Sequence, residues 1–215
     1  SSAVIFIVAL SIMFIAGAPI KHLLVIFSLG ISVFVLMILT VPWRMKRILS
    51  FMNPWETYQE EGWQLSHSLI AFGRGDWFGV GLGESLQKLH YLPDAQTDFI
   101  FAIIAEELGL LFCIFLVFVF SFLVFKCFYI GRLARHAQYY LSSYIAYGAG
   151  ICIALHVFIN IGVSSGMLPT KGITLPFISF GGTNLLLMFA LIALVLRINF
   201  EISESSLIKN KILNV

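Results

Sequence analysis

Five long apolar runs alternate with polar stretches along this chain. They cover residues 3–18, 22–41, 99–125, 139–163 and 181–200. Each run approaches the roughly 20 residues that a helix needs to cross the hydrocarbon core of a bilayer, and the first is the shortest. Helices suit that environment because they satisfy their backbone hydrogen bonds internally. The pattern therefore predicts an all-α, polytopic membrane helical bundle with about five transmembrane helices.

The composition also indicates a membrane protein. Hydrophobic residues make up 60% of the 215 residues and charged residues 11%, and the mean hydropathy is +0.97. Soluble domains are about 45–50% apolar and about 25% charged. The net charge of +2 includes no basic run, so we expect no nucleic-acid partner. The three cysteines show no paired spacing, and we interpret them as packing residues rather than disulfide or metal ligands.

The segment between the second and third runs, residues 42–98, is long and polar. It holds seven of the eleven acidic residues and all four tryptophans. Because tryptophan favours the membrane–water interface, we expect this loop to lie on the bilayer surface. Within it we predict short helices over residues 43–51 and 63–72, separated by a break at Asn53–Pro54. Residues 73–83 contain five glycines, which predicts loop or tight-turn structure there.

The orientation in the membrane is weakly determined by charge. Basic residues are nearly balanced between the two sides, and the positive-inside rule counts best in short loops and near helix ends. The loop 126–138 and the tail 201–215 are compactly basic, so we expect both in the cytoplasm. The loop 42–98 is then extracytoplasmic, although the basic cluster at residues 44–47 argues mildly against this.

Residues 164–180 form an apolar segment that cannot be a regular helix throughout. The interrupting residues are Gly166, Pro169, Gly172 and Pro176. Irregular backbone at membrane depth is tolerated only against protein or a water-filled cavity. We therefore predict a re-entrant or cavity-lining segment with Lys171 near its middle.

Four acidic residues surround the start of the third run. They are Asp94, Asp98, Glu106 and Glu107. Asp98 either caps the helix together with Thr97, a contribution of about 1 kcal/mol, or does chemistry at the water–lipid boundary, and the two roles are compatible. Asp94 lies beside Pro93 and is interpreted as a turn residue.

Glu106 and Glu107 lie farther along the same helix. If the helix begins at residue 99, both lie roughly 12 Å below Asp98. Glu106 points about 80° away from Asp98, and Glu107 points to the opposite side. A carboxylate at membrane depth is costly unless it is paired, although residues 108–125 could cross alone and leave both glutamates at headgroup level. We expect one of the two to be structural and paired with a basic residue. The candidates are Arg74, Lys88 and Lys171.

Two pairs of residues in the fourth run are typical of helix packing. His156 and Asn160 share a face at i, i+4, and we favour an interhelical hydrogen bond over a functional role. Ala146 and Gly150 form a small-xxx-small pair that lets helices approach closely. Nothing in the chain matches a zinc site, a Ser–His–Asp set or a Walker loop.

Two blocks of sequence resemble a known family. They are AFGRGDWFGVGLGESLQKLHYLPDAQTDFIFAIIAEELG at residues 71–109 and NIGVSSGMLPTKGITLPFISFGG at residues 160–182. Both resemble the SEDS family (shape, elongation, division and sporulation), and QKLHYLP and AFGRGDWFG are more similar to its division member than to its elongation member. The resemblance extends over essentially the whole chain. It implies a fold of ten spans with both termini in the cytoplasm, of which we expect this chain to be the second half, spans six to ten.

The resemblance also implies an activity and its setting. The implied activity is that of a peptidoglycan glycosyltransferase that polymerises lipid II into glycan strands during septal cell-wall synthesis. The expected location is the bacterial cytoplasmic (inner) membrane at the division septum, and the expected partners are a class B penicillin-binding transpeptidase and other division proteins. The family's essential aspartate corresponds to Asp98 in TDFIF, its acidic pair to Glu106 and Glu107 in EELG, and its lysine to Lys171 in PTKG.

This chemistry needs few groups from the protein. The lipid pyrophosphate is already a good leaving group, so the reaction needs one base and neutralising cations but no general acid. We expect Asp98 to be the base. The candidate substrate-binding residues are Arg74, Lys88, Glu106, Glu107 and Lys171, and a divalent metal ion is a further candidate. A lipid II flippase and a non-catalytic division scaffold stay open as alternatives. The isolated half is expected to be inactive.

Overall fold

The computed structural model describes residues 2–58, 62–93 and 95–213, and it is helical throughout its regular parts. The α-helices are α1 (Ser2–Ile15), α2 (Ile20–Leu39), α3 (Pro42–Met52), α4 (Trp63–Gly75), α5 (Ile100–His136), α6 (Tyr140–Ser164) and α7 (Gly182–Leu213). One turn of π-helix, Gln87–Tyr91, lies between α4 and α5. The prediction of an all-α fold is confirmed.

Four of these helices are long and apolar enough to cross a membrane: α2, α5, α6 and the first part of α7, Gly182–Glu204. Helix α1 is also apolar, but its 14 residues fall short of the roughly 20 that a crossing needs. It ends before Gly17, whose φ is 89°, and before Pro19, which disfavours helix at the residue that precedes it. The multi-pass architecture is therefore confirmed. The fifth span and the side on which each loop lies stay predictions.

The main core lies between α5 and α6, with α1, α4 and α7 packed around this pair. Small residues set the distance between the two helices. A Cβ at Gly150 would lie 3.0 Å from the Cβ of Cys127, and Ala146 on the same face is fully buried. The Ser143 hydroxyl donates to the carbonyl of Gly131 across the interface at 2.8 Å. The predicted small-xxx-small contact is therefore present, and it allows the backbones of two long helices to approach closely.

The loop predicted over residues 42–98 contains both short helices that its sequence indicated. Helix α3 ends at Met52, before the predicted break at Asn53–Pro54. Helix α4 begins at Trp63 as predicted, but it continues to Gly75, so the prediction of loop structure from residue 73 is wrong for its first three residues. Gly75 is required by close packing and not by a turn, because a Cβ there would overlap the carbonyl oxygen of Ala105 in α5.

Candidate functional site

Helix α5 is broken at Gly109, whose φ of 77° and ψ of 179° are not helical. In an unbroken helix, the N–H groups of the two residues after the break would bond to the carbonyl groups of Glu106 and Glu107. Here the loop of residues 76–81 inserts into both bonds and satisfies each side. The four bonds are Val80 N to Glu106 O (3.0 Å), Gly81 N to Glu107 O (3.0 Å), Leu110 N to Asp76 O (2.9 Å) and Leu111 N to Trp77 O (3.3 Å). The break therefore leaves none of these four backbone groups unpaired, as the apolar environment requires.

Glycines allow the loop to lie directly on the helix. A Cβ at Gly79 would overlap the carbonyl of Glu107, and one at Gly109 would lie 2.5 Å from the carbonyl oxygen of Trp77. Both glycines also have positive φ values, 76° and 77°, which other residues rarely adopt. The glycine-rich sequence thus serves close backbone packing.

Glu106 ties this loop to α5 through its side chain. Its carboxylate is fully buried, and the guanidinium of Arg74 donates to Oε1 at 3.0 Å. The Ser85 hydroxyl donates to Oε2, and the N–H groups of Leu86 and Gln87 approach the carboxylate at 3.3 and 3.4 Å. A buried carboxylate needs this number of donors to offset its lost hydration. Glu106 is therefore an anchor for the segment that leads into the π turn.

Glu107 makes a second and more exposed ion pair. The Lys88 ammonium lies 2.6 Å from its Oε1, with the two side chains 34% and 14% exposed. The two glutamates thus point to different partners, Arg74 and Lys88, as expected from their positions around the helix. The sequence led us to expect that one glutamate pairs with a basic residue, and in the structure both of them do. Their roles in substrate binding stay predictions.

Lys88→Ala is expected to change the free energy of unfolding by no more than about 1 kcal/mol, because the pair with Glu107 is partly exposed and screened by salt. Thermal unfolding of the purified protein at low and high ionic strength measures this effect. The matched control is Glu107→Gln, alone and combined with Lys88→Ala, which isolates the pair energy. A loss well above this value that is unchanged by salt would show that the pair is more strongly desolvated than its exposure indicates.

Asp98 lies immediately before α5, in a segment that is bonded to residues 173–180. The N-cap position falls on Phe99, so neither Thr97 nor Asp98 is the N-cap residue. Three hydrogen bonds hold the main chain of residues 96–98. They are Asn160 Nδ2 to Asp98 O (2.9 Å), Ser179 Oγ to Thr97 O (2.5 Å) and Phe180 N to Gln96 O (2.9 Å). The same Asn160 amide donates to Ile173 O at 2.7 Å and so joins the two segments.

The Asp98 side chain faces Gly172, the residue that follows Lys171. Lys171 is exposed, and its ammonium lies 5.8 Å from the centre of the Phe34 ring in α2. The Arg47 guanidinium in α3 approaches the Thr170 carbonyl at 3.5 Å, which brings a further basic residue to this segment. Of the three predicted cations, Lys171 is therefore the one whose backbone adjoins Asp98, whereas Arg74 and Lys88 bond to the glutamates. Our sequence reasoning used Arg47 only for orientation, because its 123-residue separation from Thr170 gives no local signal.

A buried histidine network was missed by sequence reasoning. His67 is 4% exposed, and its Nδ1 lies 2.7 Å from Gln87 Oε1 while its Nε2 lies 3.0 Å from the Tyr58 hydroxyl. The Trp63 ring packs on the imidazole with 4.2 Å between ring centres. This network joins the segment after α3, helix α4 and the π turn. The available signal was Trp63 and His67 at i, i+4 on one face of the predicted helix.

The prediction of interhelical hydrogen bonds for His156 and Asn160 is met only in part, because Asn160 bonds outside its own helix but to non-helical backbone. Asn160 is buried and bonds to two other segments. His156 Nδ1 instead lies 2.8 Å from the Cys152 carbonyl of its own helix. The difference follows from their surroundings, because His156 is only half-buried on α6 while Asn160 is 1% exposed and meets the main chain of two other segments.

Two expectations have no structural counterpart in the described residues. Within the described ranges, no three His, Cys, Asp or Glu side chains come together to hold a metal ion, so no residue is assigned to the divalent metal. The prediction of a turn role for Asp94 lies outside the described residues.

The fold and the site together define a polytopic helical membrane protein in which the loop of residues 76–81 is hydrogen-bonded into a broken helix. Residues 1–204 match the family model of the FtsW, RodA and SpoVE cell cycle proteins. The chain belongs to this family, which confirms the resemblance found in its sequence.

Individual relatives also support membership of this family. The chain is 49% identical over 194 residues to the probable peptidoglycan glycosyltransferase FtsW of Saccharophagus degradans, covering 90% of this chain and 50% of the relative. It is 46% identical over 198 residues to the protein of the same description from Escherichia coli, covering 92% of this chain and 48% of the relative. The chain thus spans about half the length of these curated relatives.

A solved structure has the same fold. It was reported under the description "Structural coordination of polymerization and crosslinking by a peptidoglycan synthase complex". The two chains superpose with a TM-score of 0.68 at 22% sequence identity, over 93% of this chain and 55% of that one.

Proposed function

We propose that this chain forms part of a peptidoglycan glycosyltransferase that polymerises lipid II into glycan strands for the septal wall, with Asp98 as the catalytic base. The observation that carries the proposal is the position of the Asp98 carboxylate at the start of a membrane helix, against the backbone that follows Lys171. The relatives named as probable peptidoglycan glycosyltransferases support the reaction class.

The proposed reaction uses Asp98 for one proton transfer. An acceptor hydroxyl oxygen attacks the anomeric carbon of the donor sugar while Asp98 accepts the proton of that hydroxyl. The bond from the anomeric carbon to the pyrophosphate oxygen breaks, and its electron pair leaves with the lipid pyrophosphate. Lys171 is exposed on the adjoining segment and offsets the charge that develops on this leaving group.

The remaining predicted site residues act at a distance in this proposal. Arg74 and Lys88 are each bonded to a glutamate, so their positive charges are already offset within the protein. Their function is to fix the loop that carries the π turn and leads to Asp98. Glu106 is the stronger of the two anchors because it is fully buried.

The same comparisons support a proposal for the setting of the reaction. A multi-pass protein of this family is proposed to lie in the bacterial cytoplasmic membrane at the division septum, with residues 42–98 on the outer side. The related fold in a peptidoglycan synthase complex supports a class B penicillin-binding transpeptidase as a partner. Other division proteins complete the expected assembly.

Transport of lipid II is the second candidate. The features that favour it are the break in α5 and the irregular segment of residues 165–181, since discontinuous helices line the binding sites of many transporters. A non-catalytic division scaffold is the third reading, and it predicts that Asp98→Asn complements a deletion.

One experiment separates these functions. The full-length protein is placed in vesicles with fluorescent lipid II, and both the glycan products on a gel and lipid movement across the bilayer are measured. Polymerisation predicts a ladder of glycan strands. Lipid movement without polymer would support the transporter and overturn the proposal, and absence of both would favour the scaffold.

A further inference from the structure

The Asp98 carboxylate lies in a space that exists because residue 172 has no side chain. If a Cβ is added to Gly172, its three nearest atoms are all from the Asp98 carboxyl group: Oδ2 at 2.7 Å, Cγ at 3.5 Å and Oδ1 at 3.7 Å. Distances below about 3 Å are too short for such a contact, so one of the two groups would have to move. The carboxylate is the flexible partner, because the backbone of residue 173 is held by Asn160.

Asn160 fixes the main chain on both sides of this space. Its Nδ2 donates to Asp98 O at 2.9 Å and to Ile173 O at 2.7 Å, and the residue is 1% exposed. Its Oδ1 is buried and has no hydrogen-bond partner among the described residues. Leaving a buried oxygen unbonded costs free energy. The reverse orientation of the amide would place this oxygen against two carbonyl oxygens, so the two donated bonds determine the arrangement.

We propose that Gly172 and Asn160 are positioning residues that set where the Asp98 carboxylate meets the acceptor hydroxyl. Asn160 holds the backbone of Asp98 at a fixed distance from residues 172–173. Gly172 has no side chain, so the Asp98 carboxylate can occupy the space beside its Cα. This inference rests on the proposed role of Asp98 as the base. It adds that the reaction depends on the absence of a side chain at residue 172.

Gly172→Ala tests the proposal with little risk to the fold. The φ of Gly172 lies outside the positive range that side chains avoid, and the added methyl group meets a movable carboxylate. In the full-length protein, kcat for polymerisation is expected to fall by about 100-fold, since a displacement of about 1 Å at the reacting groups has an effect of that size. KM for lipid II is expected to stay within about twofold, because binding groups elsewhere are unchanged.

The matched control is Gly182→Ala, at the start of α7, where an added Cβ has no atom within 4 Å. It should leave kcat, KM and the unfolding temperature unchanged. A second arm compares Asn160→Ser with Asn184→Ser. Asn184 also bonds to the irregular segment, but its Nδ2 donates to a side chain, Thr174 Oγ1 at 2.7 Å, and not to the Asp98 main chain. Asn160→Ser should lower kcat and shift the pH profile of the rate, whereas Asn184→Ser should do neither.

Three results would overturn the inference. The first is a kcat for Gly172→Ala within about twofold of Gly182→Ala. The second is a fall in the unfolding temperature that accounts for the lost activity, and the third is an equal loss for Asn160→Ser and Asn184→Ser. Asp98→Asn is measured in parallel. If that variant stays active, the proposed base is wrong, whereas an inactive Asp98→Asn beside an active Gly172→Ala overturns only the positioning role.

Discussion

Asp98→Asn is expected to abolish glycan polymerisation while the protein stays folded and inserted in the membrane. The amide has nearly the same size as the carboxylate, so it fits the same space beside Gly172, but it cannot accept the proton of the acceptor hydroxyl. A positioned general base contributes about 10²- to 10⁴-fold to a rate, so the product ladder should fall below detection in an ordinary gel assay. Retained polymerisation at the wild-type rate would contradict the assignment.

Asp76→Asn is the matched control for this variant. Asp76 is an exposed acid at the end of α4 with a φ of 43°, and asparagine has the same branching at Cβ and Cγ, so the substitution adds no steric strain there. Its bond to Leu110 uses the main-chain carbonyl and is not altered by the substitution. Polymerisation by Asp76→Asn should therefore equal that of the wild type, and the thermal unfolding of both variants should match it.

Glu106→Leu is expected to destabilise the protein by about 3 kcal/mol, the lower end of the range for breaking a buried ion pair. The lower end applies because the partner, Arg74, is 36% exposed and regains part of its hydration. The substitution also removes the acceptor for the Ser85 hydroxyl and two backbone N–H groups. Chemical or thermal unfolding of the purified protein measures the loss, and hydrogen exchange over residues 76–91 should rise first.

Two variants show whether the loss comes from the ion pair. Glu106→Gln keeps an oxygen acceptor and should cost less than Glu106→Leu. Glu107→Leu, one residue along the helix, removes a more exposed pair and should cost about 1 kcal/mol or less. An equal or larger loss at residue 107 would mean that Glu106 is not the principal anchor of the loop.

The long apolar runs made the helical membrane architecture predictable, since length and hydropathy alone distinguish such helices. The break in α5 was not predictable in this way, because Gly109 lies in a continuous apolar helix pattern and a single glycine is tolerated in many helices. Its cause is the loop of residues 76–81, which bonds across about 30 residues of sequence.

The acidic residues at the start of α5 also show what the sequence alone could not predict. Helical geometry correctly separated Glu106 from Glu107, but it could not choose their partners among the available basic residues. The approach of Asp98 to Gly172 and the bond from Asn160 depend on how α5, α6 and the irregular segment pack together. Local sequence rules do not contain that information, so the prediction that Asp98 is the base depended on the resemblance to a family.

The insertion of residues 76–81 into α5 has a consequence for how the protein is made. The ribosome synthesises this loop before residues 106–111, so the partners for the broken part of the helix already exist when α5 reaches the bilayer. If the break at Gly109 formed without this loop, two carbonyl and two N–H groups would enter lipid unpaired, at a cost of several kcal/mol each. The loop and the upper end of α5 are therefore expected to enter the membrane interface as one unit during biogenesis.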